Sequence, residues 1–102
     1  MNMGDLMKQA QQLQEKLAAV QNDLGTQQVI GSAGAGMVTA TLNGKAELLS
    51  LVIEKAIVQP ENTEMLQDLV VAAVNDGLIK AKNLGKTEMA RLTGGLNIPG
   101  LL

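Results

Sequence analysis

The chain contains no cysteine, no histidine and no aromatic residue, and only two prolines among its 102 residues. Without cysteine there are no disulfides, thiol nucleophiles or thiolate zinc sites. Without histidine the commonest general base and metal ligand near neutral pH is missing. Without Phe, Trp or Tyr the core has to be assembled from Leu, Val, Ile, Met and Ala, which bury less area per residue. In a single domain of this length such a core is small, which favours helix-rich packing or a core shared between subunits. The sequence opens with no basic region followed by an apolar run, and no stretch approaches membrane-spanning length. A soluble, untargeted chain in a reducing cytoplasm is therefore expected, with no membrane partner. Formal charge is −2, which weighs against a strongly cationic nucleic-acid binder but does not say where the positive charges lie.

What is present starts with a heptad seam. Met3, Leu6, Ala10, Leu13, Leu17, Val20 and Leu24 recur at steps of three and four among Gln, Lys, Asp and Glu, predicting a helix over residues 3–24 that Gly25 ends. So narrow a stripe cannot hold a helix folded alone, and a partner helix is expected in the same chain or in another copy. Residues 26–31 read as a first strand. Gly31-Ser32-Ala33-Gly34-Ala35-Gly36 reads as a flexible or tightly turning connection, and residues 37–42 alternate as a second strand. Asn43-Gly44 signals a tight hairpin in which both residues take positive φ, leading to a third strand over 45–53. The apolar residues of that strand do not alternate, so either both its faces are covered or a bulge shifts the register near Ser50. Beyond Pro60, Asn62 is a plausible N-cap for a helix over 62–92. Its first part, Met65 to Val74, is apolar nearly all round and should be buried across the sheet. Its second part, beyond Gly77, carries a narrower stripe suited to pairing with the first helix. If the two project together, Met3 and Leu92 meet at a distal tip. Residues 96–102 have no periodicity and are expected to form a flexible tail after a single domain of residues 1–95.

Charge is unevenly spread. Residues 54–77 carry one lysine against five carboxylates, a net of −4, whereas residues 78–102 carry four cations against one carboxylate, a net of +3. Lys82 and Lys86 share one edge of the last helix and Lys80 and Arg91 the other, while Lys8 and Lys16 add to the basic zone from the first helix. Complementarity to the helix dipole and solubility give a bland account of the same pattern. Motifs for chemistry are lacking. The Gly31–Gly36 run is spaced Gly-x-x-Gly-x-Gly with no helix after it, and Met37 stands where a phosphate-binding loop needs Lys. Carboxylate pairs such as Asp68 and Asp76, or Glu61 and Glu64, have no histidine or cysteine to work with, so no enzyme, catalytic residue, metal, cofactor or small-molecule substrate is expected.

Several segments together resemble one family. They are Met7-Lys8-Gln9-Ala10-Gln11-Gln12-Leu13-Gln14-Glu15-Lys16-Leu17, the Gly31–Gly36 run, Asn43-Gly44-Lys45, Leu69-Val70-Val71-Ala72-Ala73-Val74-Asn75-Asp76 and Leu92-Thr93-Gly94-Gly95-Leu96-Asn97-Ile98-Pro99-Gly100-Leu101. In this order, over essentially the whole chain, they resemble the YbaB/EbfC family of bacterial nucleoid-associated proteins. The resemblance implies an α+β fold with a long N-terminal helix, a three-stranded antiparallel sheet and a long C-terminal helix, in a tweezer-like homodimer. It also implies binding to double-stranded DNA in the nucleoid, with roles in nucleoid organisation and gene regulation. Lys8, Gln12 and Lys16 on the first helix, and Lys80, Lys82, Lys86 and Arg91 on the last, are the candidate DNA-binding residues. With so few cations, contact should be weak, salt-sensitive and mostly to the phosphate backbone. Leu49 and Val52 add apolar surface suited to an interface. The alternative reading is a protein–protein interaction module in which arms and tail engage another protein and DNA binding is incidental.

Overall fold

The computed structural model of the chain describes residues 2–93. Asn2 caps the first helix, its side-chain oxygen accepting the Asp5 N–H at 2.8 Å, and Asp5 lies where the positive end of the helix dipole favours a carboxylate. This helix, α1 (Met3–Thr26), runs through Gly25 and does not stop there. The Gln27 N–H donates to Asp23 O at 3.1 Å, and the Thr26 hydroxyl donates to the same carbonyl at 2.8 Å, which closes one further turn. The first strand, β1 (Gln28–Ala33), consequently begins two residues later than its sequence suggests, and it takes in Gly31, Ser32 and Ala33, whose local pattern is that of a loop. Reversal falls to Gly34, Ala35 and Gly36, all left-handed at φ 63°, 54° and 92°, with the Met37 N–H donating to Gly34 O at 3.2 Å.

The central strand, β2 (Val38–Asn43), pairs antiparallel with β1 on one side and with β3 (Leu48–Ile53) on the other. Its alternation is legible in burial: Val38, Ala40 and Leu42 are fully enclosed. Asn43-Gly44 does not make the two-residue turn its sequence suggests. Four residues, Gly44–Glu47, connect the strands, and Ala46 is the left-handed one at φ 63°. Asn43 organises them: its side-chain oxygen accepts the N–H groups of Lys45 at 3.0 Å and Glu47 at 3.1 Å, and its amide donates to the Glu47 carboxylate at 2.8 Å. Gly44 is required by space, because a Cβ there would stand 2.8 Å from Leu24 O, the carbonyl that accepts the Gly44 N–H. The third strand therefore starts at Leu48, not at residue 45. The register steps from Thr41–Ser50 to Leu42–Leu48, so a bulge at Leu49 accounts for the missing alternation. Covered faces do not, since Leu48, Leu49, Leu51 and Val52 are all exposed in the single chain.

Two short 3-10 turns, Lys55–Ile57 and Pro60–Asn62, lead into the last helix, α2 (Thr63–Thr93). Asn62 ends the second of these turns and donates its amide to Ile57 O at 3.2 Å, a role different from the expected helix cap. One face of α2 covers β1 and β2, and the core forms between them from Val38, Ala40, Leu42, Ile57 and Ala73, with Leu66, Leu69, Val70, Val74 and Leu78 packed around it. The first half of α2 is not buried all round: Val71 is 59% exposed and Met65 also faces out. The second half meets α1, where Leu24 and Ala81 are buried. By its usual rise α1 is about 36 Å long, against about 24 Å for the described part of α2 after Gly77, and Met3, Leu6 and Met7 at the far end of α1 are exposed. The molecule is elongated, 69 × 23 × 16 Å. The expected tail at residues 96–102 lies outside the described residues.

The helix and the sheet touch through their backbones. A Cβ on Gly31 would collide with Ala73 O and Gly77 N and stand 2.7 Å from Gly77 Cα, and a Cβ on Gly77 would collide with Leu42 Cδ1. Neither neighbour is a flexible side-chain end that can swing away from Gly31. Gly31→Ala is thus expected to destabilise the fold by at least the roughly 1–3 kcal/mol typical of overpacking. Gly85 differs, since a Cβ there meets nothing within 4 Å, and Gly85→Ala is expected to stabilise by about 0.8–1 kcal/mol through helix propensity alone. Urea unfolding of the two variants beside the parent chain checks both signs.

Candidate nucleic-acid interface

The candidate cations are sorted by what surrounds them. At the root of the arm, the Asp76 carboxylate accepts the Ser32 backbone N–H of β1 at 3.0 Å and lies 3.1 Å from Lys80 Nζ, one helical turn on. Lys80 Nζ in turn donates to Ile30 O at 2.8 Å. This pair ties α2 to the otherwise unpaired rim of β1, and Lys80 is engaged there with protein groups. The Ser32 N–H, and then Lys80, hold the Asp76 carboxyl below the usual carboxylate range. Farther along the same edge, Arg91 reaches the Glu88 carboxylate at 3.2 Å. Both cations of this edge therefore have a carboxylate beside them.

The opposite edge is different. Lys82 lies roughly 160° around the helix from Lys80, and Lys86 follows Lys82 one turn later. Both are exposed, and no ion pair or hydrogen bond engages either among the described residues. They border an open cleft of about 830 Å³ between the end of α1, the β2–β3 turn and α2. Leu24, Ala81, Gly85, Met89 and Ala90 give it an apolar floor. A third lysine, Lys45, enters from the turn, and among the described residues no carboxylate lines the cleft.

Lys45 is the residue that sequence reasoning misses. Its position directly after Asn43-Gly44 marks it as a turn residue, but its approach to Lys82 depends on Gly44 docking under Leu24, a contact between positions 20 residues apart. Lys8, Gln12 and Lys16 are exposed along α1 at four-residue spacing and form a strip of their own. Gln21 and Leu24, not Lys16, supply the contribution of α1 to the cleft, and Gln21 lies about 140° around the helix from Lys16. The structure thus brings Lys82 and Lys86 together with Lys45, and leaves the α1 cations on another flank. No group of three or more acidic side chains among the described residues could hold a metal ion, and no described helix is long and apolar enough to cross a membrane.

The depressed Asp76 pKa fixes the sign of one pH effect. A carboxylate held more acidic in the folded state contributes stability that is present above its unfolded pKa and lost as pH falls through the folded one. Asp76→Asn is therefore expected to lower stability by a constant amount above about pH 5, and the gap from the parent should close below about pH 4, near the ordinary carboxylate value. Thermal melts of both chains across that range measure it.

Known proteins resemble the chain over nearly its whole length. The model of the YbaB/EbfC DNA-binding family matches residues 1–96. A nucleoid-associated protein of Desulfotalea psychrophila is 52% identical over 101 residues, 99% of this chain and 95% of that protein. Another from Syntrophobacter fumaroxidans is 50% identical over 95 residues, 93% of this chain and 86% of that one. A crystal structure of a Helicobacter pylori protein superposes with a TM-score of 0.83, covering 92% of this chain and 99% of the other at 22% identity, a likeness of fold.

Proposed function

The chain belongs to the YbaB/EbfC DNA-binding family, and from that premise we propose that it acts in the nucleoid as a homodimer that holds duplex DNA chiefly through the phosphate backbone. The observation that carries the reading is the sorting of charge on α2: cations on one edge are neutralised by Asp76 and Glu88, while Lys82 and Lys86 on the other are free to meet phosphate. Lysine ammonium groups act as point charges, and their binding energy comes largely from release of condensed counterions. Lys8, Gln12 and Lys16 offer a second strip on α1 that a duplex reaches from a different side. Lys80 and Arg91 contribute less than their charge suggests, because each already has a carboxylate within 3.2 Å. Contacts of this kind position a protein on DNA without reading its sequence. Such a grip suits a protein that acts on the shape of DNA and, through it, on transcription.

Dimerisation is supported by β3. It is an edge strand carrying Leu48, Leu49, Leu51 and Val52, with Val52 63% exposed. An apolar edge with free backbone groups is an aggregation hazard unless something covers it, and a second copy would both cover it and enlarge a core that has no aromatic residues.

Light scattering at micromolar concentration is expected to give twice the chain mass; a monomer there contradicts the shared core. In a fluorescence-anisotropy titration with a short duplex at low salt, Lys82→Ala with Lys86→Ala should weaken binding and flatten the log–log salt dependence by about 0.9 for each phosphate no longer neutralised. Lys80→Ala, measured alongside, should lower stability more than affinity. Absence of binding by the unaltered chain at tens of micromolar would leave the interaction-module reading in its place.

A further inference from the structure

Gly85 is the residue of α2 that the fold itself least explains. It lies in the helix interior, where glycine is disfavoured by backbone entropy, yet no neighbour in the chain needs the space a Cβ would fill. Gly31, Gly44 and Gly77 are each explained by a backbone or side chain pressed against them. Gly85 instead lines the cleft, which it shares with Lys82, Lys86 and Lys45. An interior glycine that internal packing does not use leaves the helix backbone open to close approach by something from outside the chain. Three lysines on the same cleft, with no carboxylate in its lining among the described residues, select an anion. The apolar floor of Leu24, Ala81, Met89 and Ala90 selects an anion that also carries an uncharged, partly apolar body.

We propose that one sugar–phosphate strand of the bound duplex seats in the cleft between α1, the β2–β3 turn and α2, with Lys45, Lys82 and Lys86 on its phosphates and its sugars against the bare backbone at Gly85. This rests on the DNA-binding reading above and sharpens it, naming the surface of the arm that takes the strand and two residues, Lys45 and Gly85, that helix-by-helix reasoning leaves out. Lys82 and Lys86 are about 6 Å apart along the helix by its rise, a spacing at which each can meet a different phosphate of one strand. Lys45 approaches from the sheet side of the same cleft, so the strand is held from two elements and its path across the arm is fixed. A second copy is a poorer occupant, because its own arm brings like charge to the three lysines.

The test varies the cleft without touching the helix cations. Gly85→Ala and Gly85→Leu keep every charge, and both residues are better helix formers than glycine, so the fold is retained. Duplex affinity by anisotropy is expected to fall stepwise as the side chain at 85 grows, roughly fivefold or more for Gly85→Leu, with unchanged mass in light scattering. Lys45→Gln is expected to reduce the salt slope by about 0.9, the signature of one phosphate no longer neutralised. If Gly85→Leu and Lys45→Gln bind like the parent while Lys82→Ala with Lys86→Ala binds weakly, the seat in the cleft is overturned and the broader reading stands. If Gly85→Leu changes the mass, the cleft belongs to a subunit contact and the proposal is likewise overturned. If the unaltered chain does not bind duplex at low salt, the broader reading fails first.

Discussion

The backbone of α2 rests on the backbone of β1 at Gly77 and Gly31, and most of what distinguishes this chain follows from that contact. Layers of a helix-on-sheet fold are ordinarily spaced by side chains, and large ones serve well. Here the two layers meet with no Cβ between them, so the residues around the contact have to be small or narrow: Ala40, Leu42, Val38 and Ala73. A sequence without aromatics and a sheet with a helix pressed directly onto it are one fact seen twice. An aromatic ring placed among those residues would lift the helix from the strand and open voids beside it, and either change removes a large part of the stability of a small domain.

Close contact at one point also fixes rotation. With Gly77 facing β1, the helical repeat sends Asp76 and Lys80 to the rim of the sheet, where Ser32 and Ile30 supply a backbone donor and acceptor. The same repeat turns Lys82 and Lys86 to the other side, over the hairpin that presents Lys45. Which cations are consumed in holding the arm and which remain available is therefore decided by the packing of two glycines several residues away. The hairpin belongs to the same arrangement, because Gly44 donates to Leu24 O and so joins the end of α1 to the turn. Sheet, arm and cleft are set by two close backbone approaches, at Gly31 and at Gly44, not by a large core.

The dominance of such approaches decides which parts of the structure are legible from sequence. The alternation of β2, the heptad seam of α1 and the period change after Pro60 are local, and element order and sheet topology follow from them. Boundaries fail where a distant contact, or a hydrogen bond that the residue type does not announce, overrides a local signal. Gly25 signals a helix end, but Asp23 O still accepts from Thr26 and Gln27, and the helix continues. Asn43-Gly44 signals a two-residue turn, but Gly44 serves the approach of Leu24 and Ala46 takes the left-handed position. Gly31 resembles loop because a strand glycine and a loop glycine look alike until the element lying on it is known. At the site, helical spacing separates Lys82 and Lys86 from Lys80 and Arg91. The same spacing offers Asp76 to Lys80 and Glu88 to Arg91, but it cannot reveal the Ser32 and Ile30 backbone groups that hold the first of these pairs, nor that Lys45 joins Lys82 and Lys86.

The formal charge of −2 illustrates the same limit in electrostatics. Four of the chain's ten carboxylates, Glu54, Glu61, Glu64 and Asp68, lie between the end of β3 and the first two turns of α2. Lys82 is 14 residues beyond Asp68, about 21 Å along the helix, whereas the screening length at physiological ionic strength is about 8 Å. Over that distance the carboxylates scarcely lower the potential a phosphate meets at the cleft. On α2 itself, the carboxylates nearer the cleft, Asp76 and Glu88, are held by Lys80 and Arg91, and each such pair is close to neutral when seen from outside; in the hairpin, Glu47 accepts from the Asn43 amide. A polyanion approaching the cleft edge of the arm therefore meets three lysines, while one approaching the base meets a cluster of acids. For an elongated molecule the sum of its charges is a poor guide to what it binds, and the order of those charges along one helix is a better one.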